Sequence, residues 1–440
     1  MRGEESGVRG PESVLLESVY ERARAWARAR DYAGRDPFDA LNSRLFQATP
    51  FKRSRLARLA WTQAFKRSPL SPRALALVPA GRNSKGTALF ALAALSRLRA
   101  TRAEGHAAEA RSLLEDLLAA RVPTRSGAAW GYNFDWQGRA FYAPRGTPTV
   151  VPTAFAVRAL VEAARAFGAD SEGEARRAGP REWAEAAREA CEFIANDLNR
   201  GDESDEEVCF SYTPLDRTRV LNASLLAGEA LATFGALAGR GEWVEEGLRA
   251  ALYVARRQRA DGSWAYGADS YQSWSDNFHT AFILTSLARI LDASGRDTPP
   301  RYAEGHEGVA LSGRRFGAEK LAGARVELGR ALARGYAFWR SSFFLADGWP
   351  KYYHRAAYPA DAHSAGAAVV AFAELKDAEP DAPELARRVA LWAVRELFDR
   401  RGFFYYQRRR LYTVRTPYMR WSQGWMTYAL ARLLEVMNAE

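Results

Sequence analysis

The chain has 440 residues, 48 % of them hydrophobic and 13 of them Trp, so it can bury a large core without disulfides or a structural metal. The formal net charge is +11, but 57 of the 63 basic residues are Arg scattered among Ala and Gly, a pattern that favours compositional bias over a nucleic-acid site. The N-terminus lacks the apolar region of a secretory signal, and no run of eighteen apolar residues follows, so we predict a cytoplasmic protein without a transmembrane segment.

In chain order, the sequence repeats one unit: an amphipathic helix, a turn rich in Gly and aromatic residues, and a helix that is apolar on almost every side. The first unit pairs an amphipathic helix at 12–31 with an apolar helix from 83, and the irregular insertion 51–80 adds a short helix between them. Five more units follow, with the turns "GAAWGYNFDWQG", "VCFSYTPLD", "DGSWAYGADSY", "DGWPKYYH" and "RGFFYYQ".

Six apolar helices that alternate with six amphipathic helices predict two concentric rings, because only the apolar set needs burial on every side. The predicted fold class is therefore all-α, an (α/α)6 toroid formed by residues 1–440 as one domain. Each Gly/aromatic turn leads from an outer into an inner helix, so all six turns gather at one end as short β or turn elements. That end is the predicted site, since helix N-termini favour anionic groups.

Several motifs resemble those of known toroids. The turn "QRADGSWAYG" at 258–267 resembles the Gln-x-x-x-Gly-x-Trp turn of terpenoid-cyclase-type toroids, and the hairpin series resembles six-hairpin glycosidases and toroid polysaccharide lyases. With "DPFDALNS", "DNFHTAF", "DAHSAGAAVVAF" and "PYMRWSQGWMTYAL", the chain resembles a family of cytoplasmic proteins from polysaccharide-biosynthesis loci. The resemblance implies the toroid and a glycan setting, but not a reaction. The acidic run "DESDEE" at 202–207 reads as a solvated loop, unlike the Asp-rich motif of terpenoid cyclases.

The stretch "WSDNFHTAF" at 274–282 offers Asp276, Asn277 and His279 at the start of an inner helix. Asp276 suits an N-cap as well as it suits a reacting group. Asn277 and His279 resemble the Asn–His pair with which toroid lyases neutralise a uronate carboxylate and move the C5 proton. His363 heads the next inner helix at the equivalent place, which favours a shared function. The remaining predicted catalytic residues are Tyr271 and Asp361, the latter again a cap candidate.

Other residues at the turns are predicted to bind substrate. Arg420 and Trp421 enter the last inner helix, where a buried Arg must pair with a carboxylate such as Asp39 or hold a substrate anion. The remaining candidates come from the turns, and Trp264 also has a packing role over its own turn: Asn42, Trp130, Tyr132, Asp135, Trp136, Trp264, Lys351 and Tyr352. No metal-ligand spacing is present, and we predict no metal and no cofactor.

The leading hypothesis is a carbohydrate-active enzyme that acts on an anionic or lipid-linked glycan in polysaccharide biosynthesis, as a uronate lyase or epimerase. In that reaction Asn277 and Arg420 would neutralise the carboxylate, and His279 would act with Tyr271 or His363 as base and acid. One alternative is glycoside hydrolysis by two of the four residues Asp39, Asp135, Asp276 and Asp361. A non-catalytic glycan-binding scaffold and, with less support, a terpenoid- or prenyl-processing enzyme are the others, and the sequence gives no oligomeric state.

Overall fold

The computed structural model describes residues 10–138, 141–168, 179–295 and 316–438. Across these ranges the chain forms the following α-helices: α1 (Pro11–Arg28), α2 (Arg44–Gln47), α3 (Arg55–Arg67), α4 (Ser84–Thr101), α5 (Glu104–Ala119), α6 (Val150–Phe167), α7 (Pro180–Asn196), α8 (Leu221–Ala238), α9 (Gly241–Ala255), α10 (Asn277–Ser294), α11 (Ala318–Phe343), α12 (Ala362–Glu374), α13 (Ala382–Leu397) and α14 (Trp425–Met437).

Two rings of six helices confirm the predicted toroid. The inner ring consists of α4, α6, α8, α10, α12 and α14, each packed on the next, and α14 contacts α4 to close the circle. The outer ring consists of α1, α5, α7, α9, α11 and α13. The sequence dictates this order because the outer helices bury one stripe: α7, for instance, buries Trp183, Ala187, Cys191 and Ile194 at helical spacing while its Arg and Glu residues face outwards.

Every short strand lies in a connection from an outer to an inner helix, as predicted. The strands are β1 (Val122–Pro123), β2 (Ala128–Ala129), β3 (Trp136–Gln137), β4 (Tyr142–Ala143), β5 (Arg200–Gly201), β6 (Cys209–Phe210), β7 (Ala360–Asp361), β8 (Phe398–Asp399), β9 (Phe403–Phe404), β10 (Gln407–Arg408) and β11 (Thr413–Val414). Most form two-stranded antiparallel hairpins within one connection. The exception is β10, which pairs with β7 in the register Gln407↔Asp361 and so ties the last two connections together at the end where the inner helices begin.

The insertion between the first outer and inner helices forms a layer of its own over that end. It contains α2, a 3₁₀ turn at Pro50–Arg53 and α3. Trp61 of α3 stacks on Phe46 at 5.2 Å between ring centroids, and a small second core of Ala40, Phe65, Ala76 and Val78 forms beneath it. The insertion therefore contains the predicted short helix, α3, and has a small core of its own.

The inner helices are not apolar along their whole length. From their middle towards their C-terminal ends they carry ion pairs, and at the middle Arg158 of α6 binds Glu229 of α8 through two hydrogen bonds of 2.8 and 2.6 Å. Among the described residues only α8 has the length and hydropathy of a membrane span, and 89 % of that span is buried inside the ring.

Candidate functional site

The N-terminus of α10 combines a helix cap with an acid–base group. Asp276 is the N-cap residue, and one carboxylate oxygen accepts a hydrogen bond from the backbone N–H of His279 at 3.1 Å. The other oxygen lies 2.7 Å from Nδ1 of His279. The carboxylate therefore orients the imidazole and favours the tautomer with its proton on Nδ1, which leaves Nε2 for a substrate. The side chain of His279 is 21 % exposed, so a small molecule can approach it.

His363 occupies the first turn of α12, beside His279. Its ring centroid lies 4.1 Å from that of Trp421 and 4.3 Å from that of Phe278, and Phe278 is also 4.0 Å from His279. The two imidazoles thus contact one phenylalanine ring. His363 is buried, and neither of its ring nitrogens has a hydrogen-bond partner among the described residues. Burial, together with the nearby charges of Lys85 and Arg420, lowers the pKa of His363 well below 6.5 and keeps the ring neutral.

Lys85, on the first turn of α4, is a residue that the sequence analysis missed. Its Nζ lies 4.4 Å from the ring centroid of Phe155, 4.9 Å from that of Phe282 and 5.2 Å from that of Trp425. The side chain is buried at the axis and forms no ion pair within the described part of the chain. Burial lowers the pKa of Lys85 well below its ordinary value of 10.5, and two nearby guanidinium groups lower it further. The signal available in the sequence was a lone Lys directly after the cap in "NSKG", inside an apolar helix.

Arg420 and Trp421 lie on a π-helical turn, Met419–Gly424, that precedes α14. The guanidinium of Arg420 makes two hydrogen bonds to Asp36, at 2.7 and 2.8 Å, so Arg420 pairs with a carboxylate, but with Asp36 and not with the suggested Asp39. The Asp39 carboxylate instead binds Arg73 at 2.6 Å. Burial raises the pKa of Asp39 to about 6 despite this pairing.

Trp421 and Lys66 cover the end of the toroid where the inner helices begin. Trp421 packs on Phe38 at 5.4 Å, and its indole N–H points to the Asp361 carboxylate at 3.4 Å. Lys66, on α3 of the insertion, places Nζ 4.3 Å from the Phe38 ring centroid. Burial lowers the pKa of Lys66 to about 8, although the carboxylate of Asp361 opposes that shift. The insertion therefore contributes a cation to the site end of the toroid.

Aromatic rings line the approach to His279. Tyr266 lies 4.7 Å from the His279 ring and stacks on Trp274 at 4.6 Å, with an interplanar angle of 13°. On the other side, Tyr352 packs against Phe278 at 5.7 Å. Tyr352 was predicted from the sequence and Tyr266 was not, although it follows Trp264 in the same "DGSWAYG" turn. Such flat rings are suitable surfaces for the apolar faces of sugars.

Three predicted substrate-binding residues have structural positions instead. The Asn277 side chain is buried, donates to the backbone oxygen of Lys351 at 3.0 Å and accepts from the indole of Trp339 at 3.0 Å. Both of its polar ends are therefore occupied, which is incompatible with the predicted contact to a uronate. Trp130 and Trp264 are fully enclosed in the core, where each indole N–H donates to a backbone oxygen.

A second group of predicted residues lies beside the axis. Asn42 donates to the backbone of Asn133 at 2.9 Å, and Asp135 accepts from the Tyr142 hydroxyl at 2.8 Å. Trp136 contacts Tyr212 at 4.9 Å, and a cavity of ≈ 420 Å³ adjoins Asn42 and Tyr132.

Tyr271, predicted to be catalytic, and Lys351, predicted to bind substrate, both contact other parts of the chain. Tyr271 is exposed, and its hydroxyl faces Asp269 at 3.4 Å. The Nζ of Lys351 donates to the backbone oxygen of His354 at 2.9 Å.

The four carboxylates proposed for hydrolysis all have structural partners. Asp39 binds Arg73, Asp135 binds Tyr142, Asp276 caps α10 and Asp361 caps α12 by accepting from the Ser364 N–H at 2.8 Å. Asp361 is fully buried, and burial raises the pKa of its carboxyl group. No group of three or more His, Cys, Asp or Glu side chains able to hold a metal is found within the described ranges.

Comparisons with solved structures show the fold. Cellobiose 2-epimerase from Bacillus thermoamylovorans has a TM-score of 0.56 at 13 % identity, over 81 % of this chain and 88 % of that one. A possible member of the GH105 family from Klebsiella pneumoniae gives 0.58 at 11 %, over 98 % and 95 %. A D-mannose isomerase gives 0.57 at 10 %, over 98 % and 100 %. No protein-family model matches the sequence, and a search of curated proteins finds no match.

Proposed function

We propose that the protein is a sugar epimerase or isomerase, which removes a proton from a carbon next to a carbonyl or carboxyl group and returns a proton to the same or an adjacent carbon. The observation that carries this proposal is the pair of imidazoles around Phe278, only one of which is oriented by a carboxylate. Epimerisation or isomerisation by this route needs two proton-transfer groups in one pocket and no covalent attack.

The chain's own residues would divide this chemistry. His279, held by Asp276, would take the proton on Nε2. His363, which is kept neutral and has no hydrogen-bond partner in the part of the chain that the structure describes, would exchange protons with the other face of the substrate or with its oxygen. Arg420 and Lys85 would stabilise the negative charge that develops on the substrate oxygen when the carbon loses its proton. Tyr266 and Tyr352 would stack on the sugar ring.

The fold comparisons include both sugar-converting enzymes and glycoside hydrolase family members, so the choice among the carbohydrate reactions rests on the site. Of the three similar structures named above, two carry names of sugar-converting enzymes, a 2-epimerase and an isomerase. Hydrolysis has less support because the four candidate carboxylates serve as caps or bind other side chains. A terpenoid reaction has less support because charged and polar groups, including Lys85 and Arg420, occupy the axis.

The test is incubation of the purified protein with reducing mono- and disaccharides and with uronates in deuterated water. We expect solvent deuterium at the carbon next to the carbonyl or carboxyl group, together with a new epimer or isomer, both read by NMR. His279→Gln should abolish exchange, while the matched variant His106→Gln on the outer helix α5 should retain it. A rise in reducing ends would indicate hydrolysis instead, and an ultraviolet-absorbing unsaturated uronate would indicate elimination.

A further inference from the structure

The insertion that covers the site end has an outer surface that the proposed reaction does not use. Residues 44–78 contain eight Lys or Arg residues and no Asp or Glu. One of these eight cations, the buried Arg73, is paired with Asp39. The exposed cations Arg44, Lys52, Arg53 and Arg67 form no ion pair with any carboxylate in the described ranges, so their charges add to one another. Residues 44–78 therefore hold a formal charge of +8, against a net charge of +11 for the whole chain of 440 residues.

The same surface exposes large apolar side chains. Of the fourteen exposed large hydrophobic residues in the described ranges, six lie in this segment, with exposures from 50 to 84 %: Leu45, Phe51, Leu56, Leu70, Leu75 and Leu77. The segment also has an inner side, where Phe46, Trp61 and Phe65 pack together. Its apolar residues thus divide between a packed inner side and an unpartnered outer side, and scattered single exposures do not explain such a concentration.

A neighbouring hairpin extends the surface. The connection between β10 and β11 carries Leu411, which is 90 % exposed, and Arg410 directly before it. The hydroxyl of Tyr412 lies 3.5 Å from the backbone oxygen of Arg67, which places the hairpin against the end of α3. Two segments that are remote in sequence therefore present the same combination of cations and apolar tips side by side.

We propose that this face, formed by residues 44–78 and 408–412, docks on the surface of a bilayer rich in anionic lipid. Cations attract the negative headgroups, and exposed Leu and Phe side chains insert at the boundary between headgroups and acyl chains. Nucleic acid would bind the same cations, but it offers no apolar region in which the six exposed apolar side chains could be buried. The combination of cations and exposed apolar side chains therefore favours the bilayer. This contact is peripheral, and none of the residues involved crosses the membrane.

Docking in this way has a consequence for the orientation of the toroid. The layer lies over the end where the inner helices begin, because Lys66 of α3 stands over Phe38 and Trp421. The toroid would therefore face the bilayer with its site end, which suits a substrate attached to a lipid. The outer-ring helix α11 lies outside the proposed contact, so its surface provides matched control positions.

The test is flotation of the full chain with vesicles of phosphatidylglycerol or of phosphatidylcholine, at low and at high salt. We expect binding to phosphatidylglycerol only, weakened by salt because the Debye length shortens. The triple variant Lys52→Glu, Arg53→Glu, Arg67→Glu should lose about 100-fold or more in affinity, at about fivefold for each cation removed. Leu56→Ser, Leu70→Ser, Leu75→Ser together should lose about tenfold or more.

The control is Val326→Ser with Arg330→Glu on α11, which should bind vesicles like the wild type. Thermal unfolding of every variant separates loss of binding from loss of fold. A fluorescent dye attached at Leu70→Cys should shift to shorter wavelengths on phosphatidylglycerol vesicles. The proposal is overturned if the wild type ignores anionic vesicles, if it binds both lipids equally, if the triple variants bind normally, or if RNA competes the protein off the vesicles and binds more tightly.

Discussion

Replacing Asp276 by Asn separates the cap contact of its carboxylate from the contact with the His279 ring, and it also removes the oxygen that accepts from the Trp274 indole at 3.2 Å. The cap requires only an oxygen that accepts from the His279 N–H, and Asn supplies one. The second contact, 2.7 Å from Nδ1 of His279, changes its character, because an amide N–H₂ donates a hydrogen bond where the carboxylate accepted one. The imidazole then keeps its proton on Nε2, and the nitrogen that faces the substrate no longer accepts a proton.

The magnitudes of these two effects differ widely. Asn and Asp are about equal as N-caps, so the change at the cap should alter the free energy of unfolding by less than ~0.5 kcal/mol, and the lost Trp274 contact adds at most about 1 kcal/mol. For a chain of this length, a loss of about 1 kcal/mol corresponds to a fall in Tm of only about 1 °C. Turnover in the deuterium-exchange assay should fall at least about 10²-fold in Asp276→Asn. A large loss of rate with an unchanged Tm would identify Asp276 as a positioning residue.

Asp361 provides the matched control. It caps α12 as Asp276 caps α10, but its carboxylate contacts the Trp421 indole instead of a histidine. We therefore expect Asp361→Asn to keep most of its turnover. The reasoning is refuted if the two Asn variants lose turnover equally, or if Asp276→Asn reacts at the wild-type rate.

Three further predictions concern buried groups. Glu229→Gln leaves Arg158 buried without its carboxylate, so the free energy of unfolding should fall by about 3–5 kcal/mol in urea titrations, and an unchanged midpoint would contradict the pairing. Burial lowers the pKa of Lys85, so the unfolded chain binds the Lys85 proton more tightly than the folded chain does. Lys85→Met should therefore have a larger free energy of unfolding than the wild type at pH 7. The difference in free energy between the two proteins should shrink as the pH rises towards 10.5, the ordinary pKa of Lys. Burial also raises the pKa of both thiols, that of Cys209 to about 11, so a thiol reagent should modify Cys191 and Cys209 only after unfolding.

The sequence predicts the rings because their cause is local. A helix with one charged stripe and a helix without one differ within any window of eighteen residues, and the Gly/aromatic turns mark where one passes into the other. The same reasoning identified His279, His363 and Arg420, because each follows a turn at the start of an inner helix. Placing these residues at the start of an inner helix requires only the order of helices and turns along the chain.

Partners of buried charges are a different matter, because they depend on contacts between distant segments. Arg420 pairs with Asp36 across 384 residues, and Asp39, only three residues further, pairs with Arg73 instead. No periodicity distinguishes those two carboxylates. Lys85 was overlooked for a related reason. A single Lys in an apolar helix only interrupts the sequence pattern, and its burial depends on the other inner helices that surround it.

The buried polar groups at the two ends of the toroid axis differ in the partners that they have. At the C-terminal ends of the inner helices, around a cavity of ≈ 300 Å³, the cations have carboxylate partners: Arg99 binds Glu435 at 2.7 Å and Arg289 lies 3.1 Å from Glu374. At the other end, Lys85 has no ion pair among the described residues and His363 has two nitrogens without partners. The fold is therefore able to pair buried charges at both ends of this axis, as Arg420 and Asp36 do at the site end, yet it leaves Lys85 and His363 without such partners within the described part of the chain. Unpaired groups at the opposite end are what a binding site requires, because the substrate supplies the missing partners.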